Sequence, residues 1–264
     1  PTGISWMFLL IDADGRFPLG DDGEPKLFHT PPATTDITSH VHVSPNVTAA
    51  RVHGVDAADL AGPAGATGDA RTHASHPLAA RAVGLVNARE RTRFDPADGS
   101  EVLWGEGGIV ARGATGRPIF PRLDPCVIGL VEDPAGERIL LVENSRRPGY
   151  LTLVAGYVDV GETLEAAFAR EVWEETGRRV SDVRYVRSQP WPLSGALMLG
   201  MAARTADTDA QAPTDGELTR TVWASRDELD SLTLAAEGTI ARALVDYWAD
   251  IPNTPTPEGA HPWR

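Results

Sequence analysis

Cysteine and long apolar runs are both scarce in this 264-residue chain. The single cysteine, Cys126, excludes an internal disulfide, which agrees with a reducing compartment, and we expect a cytoplasmic protein. Cys126 lies in the apolar run CVIGLV, where a lone cysteine is most often a small buried side chain. Apolar runs stay well short of the roughly 20 residues that a membrane helix needs, so no membrane partner is expected.

Positive charge is also in deficit. Lys and Arg total 24 against 37 Asp and Glu, which gives a net charge of −13. Such a surface does not attract a long nucleic acid by broad counterion release. A small anionic substrate delivered as its metal complex fits the charge better. The early apolar run at residues 6–11 is too short and has no basic flank, so we expect no signal peptide.

The most informative segment spans residues 156–177 and reads GYVDVGETLEAAFAREVWEETG. Residues 163–176 contain no glycine or proline and are rich in Leu, Ala, Glu and Arg, which favours a helix. Apolar residues recur every four positions from Leu164 and give this helix one apolar face. Thr163 is the predicted N-cap, and Gly177 is the residue predicted to end the helix.

Three glutamates, Glu171, Glu174 and Glu175, share a face of the predicted helix because they are separated by three or four residues. Carboxylates so close repel one another unless a cation lies among them, and Mg²⁺ prefers oxygen ligands. Arg170 can orient one of the glutamates through a bidentate pair. A solvated acidic helix face is the alternative explanation.

The segment resembles the Nudix box, the signature of hydrolases that cleave nucleoside diphosphates linked to another group. It matches every fixed glycine and polar position of that box; Arg178 stands where an apolar residue is expected. The resemblance implies an α/β/α sandwich with a mixed sheet. It implies catalytic roles for Glu162, Arg170, Glu171, Glu174 and Glu175. It also implies one to three Mg²⁺ or Mn²⁺ ions bound by Glu171, Glu174, Glu175, Glu217 and the carbonyl of Ala155.

A second motif, SQPWP at residues 188–192, resembles the mark of the NADH pyrophosphatase branch of these hydrolases, SQPWPFPxS. Leu193, Ser194 and Ala196 depart from it. The alternative explanation is a proline-kinked strand end with Trp191 in the core. The resemblance implies that Tyr157 stacks on the substrate base, and that Phe120 replaces a substrate-contacting Tyr. The implied substrate-binding residues are Phe120, Tyr157, Gln189, Pro190, Trp191, Pro192, Leu193, Ser194, Gly195, Ala196 and Ala241.

The branch usually carries a four-cysteine zinc ribbon, which this chain cannot form. The expected cysteines fall at Asp95, Asp98, Arg112 and Thr115. Because a structural zinc site needs thiolates, no zinc is expected. The two aspartates could bind another cation, but we favour a salt bridge between them and Arg112 within a degenerate ribbon.

Four regions are predicted along the chain. They are an N-terminal α/β domain at 1–88, the degenerate ribbon at 89–123, the Nudix domain at 124–250 and an irregular tail at 251–264. Strands are predicted at 6–11, 40–43, 49–55, 127–131, 138–143, 151–155, 183–189, 196–204 and 218–223. Further helices are predicted at 77–91 and 239–248. The spacing of the paired histidines at 40 and 42 and at 73 and 76 could suggest a metal site. Because no carboxylate or cysteine accompanies them in the sequence, they are predicted to be structural.

The family resemblance implies hydrolysis of NADH to NMNH and AMP, with removal of an NAD cap from the 5′ end of RNA as a related activity. It also implies a homodimer. The altered residues after SQPWP leave open a hydrolase for ADP-ribose or another dinucleotide. A non-catalytic nucleotide sensor is the third hypothesis, although a sensor would be expected to lose metal-binding carboxylates and none is lost here.

Overall fold

The computed structural model describes residues 6–63 and 65–251, so the predicted irregular tail lies, from residue 252 on, outside the described residues. The chain forms two compact units. One runs to Leu123 and also includes Pro190–Ala196; the other comprises Asp124–Gln189 and the chain from Leu197 on. The segment 190–196, predicted within the Nudix domain, therefore belongs by its contacts to the N-terminal unit. The finer limits of the ribbon and the N-terminal domain stay predictions.

The N-terminal unit is built on a three-stranded sheet. Its elements are β1 (Met7–Ile11), β2 (Arg16–Pro18), β3 (Asp36–Ser44), β4 (Val47–His53), α1 (Ala57–Ala61), β5 (Thr67–Asp69) and α2 (Pro77–Arg91). Strand β4 lies in the centre, parallel to β1 and antiparallel to β3, while β2 and β5 pair separately. Helix α2 has the bounds predicted from its apolar spacing.

Alternation along the central strands gives this sheet two apolar faces. On one face, Leu9 and Val41 pack with Ala82 of α2, and on the other Leu10 packs with Leu60 of α1. One of the paired histidines, His76, has a structural role in this unit. Its ring nitrogen Nδ1 accepts a hydrogen bond from Ala79 N at 3.1 Å and caps α2. A ring at the helix N-cap satisfies a donor that the helix itself leaves unpaired.

The degenerate ribbon is a small antiparallel sheet of β6 (Leu103–Gly105), β7 (Val110–Arg112) and β8 (Pro118–Ile119). Asp95 is buried and accepts hydrogen bonds from Ala97 N at 2.9 Å and Thr115 Oγ1 at 3.1 Å. The salt bridge predicted between Arg112 and the aspartates is wrong. Arg112 pairs with Glu106 at 3.0 Å, because Asp95 is already satisfied by hydroxyl and backbone donors.

The second unit contains a six-stranded sheet and two helices. Its elements are β9 (Asp124–Glu132), β10 (Arg138–Asn144), β11 (Val154–Tyr157), α3 (Leu164–Thr176), β12 (Ser181–Trp191), β13 (Ala196–Arg204), β14 (Leu218–Ser225) and α4 (Ile240–Asp250). The strand order is β12-β13-β9-β10-β14, and β11 pairs antiparallel with β9. Strand β11 begins later than predicted because residues 151 and 152 form isolated bridges to other partners.

The two helices cover opposite faces of this sheet. Ile128 of β9 packs with Leu244 of α4, whereas its neighbour Val127 packs with Phe168 of α3. Successive side chains of a strand point to opposite faces, so the sheet lies between the helices as the α/β/α sandwich requires. The molecule has the mixed α/β fold expected from the sequence. Within the described ranges, no helix has the length and apolarity to cross a membrane.

Candidate active site

Helix α3 carries the densest group of charged side chains. The Thr163 hydroxyl caps it by accepting a hydrogen bond from Ala166 N at 3.2 Å, and Gly177 ends it with φ of 66°. Both termini were predicted. Phe168 and Val172 are buried against the sheet. This packing fixes the rotation of the helix and, with it, the position of each glutamate.

Arg170 links the carboxylates of the site to one another. Its guanidinium donates to both oxygens of Glu162, with Nε 2.7 Å from Oε1 and Nη2 2.9 Å from Oε2. Nη1 donates to Glu171 at 2.8 Å and to Glu174 at 2.9 Å, and Nη2 also reaches the carbonyl of Tyr157 at 2.9 Å. One planar cation therefore orients three predicted catalytic glutamates and holds them on the end of β11.

The turn before α3 stabilises Glu162 as an anion. Hydrogen bonds from Arg170, and then one from the backbone of Asp159 at 3.0 Å, lower the pKa of Glu162 to about 2. Hydrogen bonding to the charged form favours ionisation of a carboxyl group. In the same way, the carboxylates raise the pKa of Arg170, the hydrogen bond with Glu162 being the largest cause. Glu162 and Arg170 therefore carry opposite charges at neutral pH and form an ion pair.

Gly156 is needed in β11 because the Glu171 carboxyl group lies directly on its backbone. A Cβ atom added at residue 156 would lie 1.9 Å from Cδ of Glu171, far inside van der Waals contact. The close approach positions the Glu171 carboxylate next to the peptide groups at the end of β11, where Ala155 contributes the carbonyl predicted as a metal ligand. Burial raises the pKa of Glu171, and Arg170 opposes that rise.

Glu175 is the most deeply buried carboxylate of the site. It is 4% exposed and accepts no hydrogen bond from the described part of the chain. Burial raises the pKa of Glu175 to about 8, and the negative charges of Glu171, Asp215, Glu217 and Glu174 add to the increase. Without a cation, a buried carboxylate among like charges is held in its neutral form.

The chain after β13 brings Glu217 to this helix. Asp215 N donates to the Glu174 carbonyl at 2.9 Å, and Asp215 Oδ1 accepts from Glu217 N at 2.9 Å. The sequence motifs did not identify Asp215. Its negative charge helps to raise the pKa of Glu175, and its carboxylate holds the backbone of Glu217. The run TDGE at residues 214–217 signals a turn, and that turn is what places the two carboxylates side by side.

The donor set fits a hard divalent cation. Glu171, Glu175, Glu217 and the Ala155 carbonyl offer only oxygen atoms, the ligands that Mg²⁺ and Mn²⁺ prefer. A cation would also relieve the repulsion that raises the pKa of Glu175. Within residues 6–63 and 65–251, no three His, Cys, Asp or Glu side chains lie in an arrangement that could hold a metal ion. The ligand assignment therefore stays a prediction.

Two further residues near the site were singled out in the sequence, Cys126 and Arg178. Cys126 is buried as predicted, and burial, with the charges of Glu171 and Glu175, raises the pKa of its thiol to about 12. Arg178, which replaces an apolar residue of the motif, is also buried. Its guanidinium donates to the carbonyls of Thr176 at 2.9 Å and Thr208 at 3.1 Å. The charge is tolerated because backbone acceptors surround it.

The predicted substrate-binding residues fall into exposed and buried groups. Tyr157 is 54% exposed and Phe120 is 65% exposed, so both rings are available for stacking. Ala241 lies in the first turn of α4 and is buried in the core, with 4% of its surface exposed.

Gln189 is occupied by the backbone of α4. Its Nε2 donates to the Gly238 carbonyl at 2.7 Å, and its Oε1 accepts from Ile240 N at 2.7 Å. The side chain is buried and satisfies the first turn of the helix. Gln189 therefore has an observed structural role. Its predicted contact with the substrate stays a prediction.

The segment after Gln189 is fixed by carbonyl contacts within the N-terminal unit. Arg91 donates to the carbonyls of Leu193 at 2.9 Å and Ser194 at 3.0 Å, and Asn87 donates to the carbonyl of Pro192 at 3.1 Å. Leu193 packs on the apolar core of that unit. These contacts use backbone atoms, so the departures at residues 193, 194 and 196 do not disturb them. The remaining residues predicted here are the half-buried Trp191 and Gly195, the exposed Pro190 and the buried Ala196.

The sequence was compared with families of known proteins, and one family model covers the region that contains this site. Residues 122–246 match the family model of the NUDIX domain. With the Glu162–Arg170–Glu171 network and the sandwich fold, this match identifies residues 122–246 as a Nudix domain. A family of this kind typically uses divalent metal ions.

Among curated relatives, the chain is similar to an NAD-capped RNA hydrolase NudC of Mycobacterium bovis, with 34% identity over 190 residues, or 66% of this chain and 61% of that protein. A Vibrio cholerae protein of the same name is 42% identical over 134 residues, or 50% of this chain and 48% of the relative. The chain thus spans at most about three fifths of the length of these relatives. A solved NUDIX hydrolase from Nitrosomonas europaea aligns with a TM-score of 0.48 and 23% identity, over 59% of this chain and 90% of that one.

Proposed function

We propose that this chain hydrolyses the diphosphate bond of NAD(H), releasing NMN(H) and AMP, and that it acts on the dinucleotide both free and as the 5′ cap of RNA. The observation that carries the proposal is the buried carboxylate Glu175 beside the Arg170-ordered glutamates. The SQPWP sequence at residues 188–192 and the similarity to NAD-capped RNA hydrolases support the choice of substrate.

The protein's own part in the reaction is positional. Glu171, Glu175 and Glu217, with the carbonyl of Ala155 and with Glu174 in support, would hold one to three Mg²⁺ or Mn²⁺ ions. Such ions neutralise a diphosphate and polarise a water molecule. Arg170 fixes the Glu171 and Glu174 carboxylates, and Glu162 fixes Arg170. Because phosphoryl transfer depends mainly on positioning and electrostatics, this rigid network is the protein's main contribution.

Substrate recognition is assigned to the exposed rings. Tyr157 lies at the end of β11, one residue after Gly156, and would stack on the base of the substrate. A preference for ADP-ribose or another dinucleotide is the second candidate, and the altered residues Leu193, Ser194 and Ala196 favour it.

Product analysis tests the proposal. NADH, NAD⁺, ADP-ribose and an NAD-capped oligoribonucleotide are incubated with Mg²⁺ or Mn²⁺, and products are separated by chromatography. Formation of NMNH and AMP, with NADH cleaved faster than ADP-ribose, is the expected result. Faster cleavage of ADP-ribose would transfer the assignment to the second candidate. Absence of cleavage, with tight binding of NADH, would replace the hydrolase by a nucleotide sensor.

The matched controls change single carboxylates of α3. Glu175→Gln removes the central carboxylate and is expected to abolish turnover. Glu165→Gln neutralises an exposed carboxylate in the first turn of the same helix and is expected to retain it. Equal turnover by the two variants would contradict the role of Glu175.

We also propose that the protein acts as a homodimer, as the family resemblance implies. Light scattering coupled to size-exclusion chromatography is expected to give twice the 28.2 kDa chain mass. A monomeric mass at the concentration of the activity assay would contradict the dimer.

A further inference from the structure

The turn after β10 presents two adjacent arginines, Arg146 and Arg147, that the proposed chemistry does not use. Three backbone N–H groups of the turn donate hydrogen bonds that order it. Asn144 Oδ1 accepts from Arg146 N at 2.9 Å, and the Asn144 carbonyl accepts from Arg147 N at 3.0 Å. Gly149 N donates to Glu143 Oε1 at 2.8 Å and closes the turn. The arginines therefore project from a fixed support.

This turn lies beside the carboxylates of the site. Ser145 N donates to the Glu217 carbonyl at 2.9 Å, and Arg146 Nη2 lies 4.0 Å from Glu217 Oε1. The charge of Arg147 lowers the pKa of the Cys126 thiol, and the charges of Glu171 and Glu175 raise it. Both arginines thus belong to the surroundings of the metal-binding carboxylates.

Exposure increases from the carboxylates outward to the arginines. Glu175 is 4% exposed, the Glu171 side chain 13%, the Glu217 side chain 44% and the Arg146 side chain 82%. The exposed edge of the site therefore carries positive charge beside the half-exposed carboxylate of Glu217. A diphosphate neutralised by ions on the inner carboxylates would leave the outer positive charges available for another anion.

Neither arginine is neutralised by a close ion pair. In the described part of the chain, the long contact with Glu217 is the one ion pair of Arg146, and Arg147 has none. Two other exposed arginines of this domain are paired: Arg179 lies 2.8 Å from Asp207 and Arg220 lies 3.4 Å from Glu143. Two guanidinium groups without a close ion pair, on an ordered turn, are suited to binding phosphate.

We propose that Arg146 and Arg147 form a subsite for a phosphoryl group attached to a ribose of the dinucleotide substrate, beyond the diphosphate itself. The proposal rests on the proposed function and specifies its substrate further. Two sources carry this chemistry: the 2′-phosphate of NADPH and the 3′-phosphodiester that joins an NAD cap to RNA. In an acidic protein, a local basic rim of this kind selects substrates with an additional phosphate near the site.

The test compares KM and kcat for NADH, NADPH and an NAD-capped oligoribonucleotide in wild type and in the double variant Arg146→Gln/Arg147→Gln. We expect the KM of NADPH, of capped RNA or of both to rise at least about tenfold more than the KM of NADH, since a hydrogen bond to a charged group contributes about 1.5–3 kcal/mol. Which of the two substrates responds identifies the source of the phosphate. Arg71→Gln/Arg117→Gln, at two exposed arginines outside the Nudix domain, is the charge-matched control.

Two results would overturn the proposal. An equal rise in KM for all three substrates would assign the arginines to the diphosphate. An unchanged KM for all three would leave them with no role in binding.

A binding measurement separates this proposal from the proposed function. In a Glu175→Gln background with Mg²⁺, anisotropy of a labelled NAD-capped oligoribonucleotide and competition by NADPH and NADH give affinities without turnover. The arginine variant is expected to weaken binding of the phosphate-bearing ligands selectively. For capped RNA, the slope of log K against log salt should become shallower by about 0.7 for each phosphate that the variant no longer neutralises. If wild type cleaves nothing, the proposed function fails, yet these affinities still decide whether the subsite exists.

Discussion

At the scale of single residues, Glu175 shows how a metal-free site opposes folding. A carboxyl group whose pKa rises on folding binds its proton more tightly in the folded state than in the unfolded state. For Glu175 the rise, caused first by burial, is from the ordinary value of 4.5 to about 8. Its contribution to stability is complete below the unfolded pKa and is lost as the pH rises through about 8. Above that pH the buried anion destabilises the fold.

Glu175→Gln should therefore stabilise the metal-free protein at high pH while it abolishes activity. In EDTA we expect the melting temperatures of wild type and variant to be similar near pH 5 and to diverge toward pH 9, with the variant higher. Each pKa unit corresponds to about 1.4 kcal/mol, and each kcal/mol to roughly 2–4 °C in a protein of this size. Differential scanning fluorimetry across pH measures the difference.

Glu165→Gln again supplies the control, because that carboxylate is exposed on the same helix. Its melting curve should follow wild type at every pH. Parallel curves for wild type and Glu175→Gln would show that the folded protein does not hold Glu175 in a neutral form.

Gly156 gives a second prediction for a single residue. In Gly156→Ala, the new Cβ would collide with the Glu171 carboxyl group, which must move away from β11. A displacement of about 1 Å at a catalytic group can cost roughly 100-fold in rate. We expect such a loss in kcat/KM for NADH with the fold retained. Gly105→Ala, where no atom lies within 4 Å of the new Cβ, should have wild-type activity, and equal activity of the two variants would contradict the steric argument.

At the scale of elements, α4 depends on a side chain from β12. Gln189 satisfies Ile240 N and the Gly238 carbonyl, both at 2.7 Å. In Gln189→Ala these groups lose a partner, and a buried unsatisfied polar group costs about 1–3 kcal/mol. We expect a lower melting temperature and little change in the KM of NADH. A large rise in KM at unchanged stability would instead support the direct substrate contact that the sequence motif implies.

The sequence was most informative where one local pattern decides the structure. Helices α2 and α3 were predicted with correct limits, because apolar spacing, caps and a terminal glycine agree there. The partner of Arg112 depended on which acidic side chain the fold brings near it, and sequence spacing does not contain that information. The same holds for Asp215, whose contact with Glu174 joins a loop to a helix. Position within a motif identified the Arg170 network, but only the fold revealed how deeply Glu175 is buried.

At the scale of the whole molecule, the net charge of −13 and the acidic site both oppose folding through repulsion between like charges. General repulsion responds to ionic strength alone, because salt screens exposed charges over about 10 Å at 0.1 M. Repulsion among the buried and half-buried carboxylates around Glu175 is screened much less, and a divalent cation bound among them would relieve it. The two effects can therefore be separated by comparing Mg²⁺ with a monovalent salt.

We expect Mg²⁺ to raise the melting temperature of wild type beyond the effect of KCl at equal ionic strength. A ligand at 100 times its Kd stabilises the folded state by about 2.7 kcal/mol, which corresponds to roughly 5–10 °C here. Mn²⁺ should act similarly, and EDTA should reverse both. In Glu171→Gln/Glu175→Gln the Mg²⁺-specific increment should vanish while the KCl response remains, because the general surface charge is nearly unchanged. An increment that persists in this variant would place the stabilising ion away from α3 and contradict the ligand set proposed for the reaction.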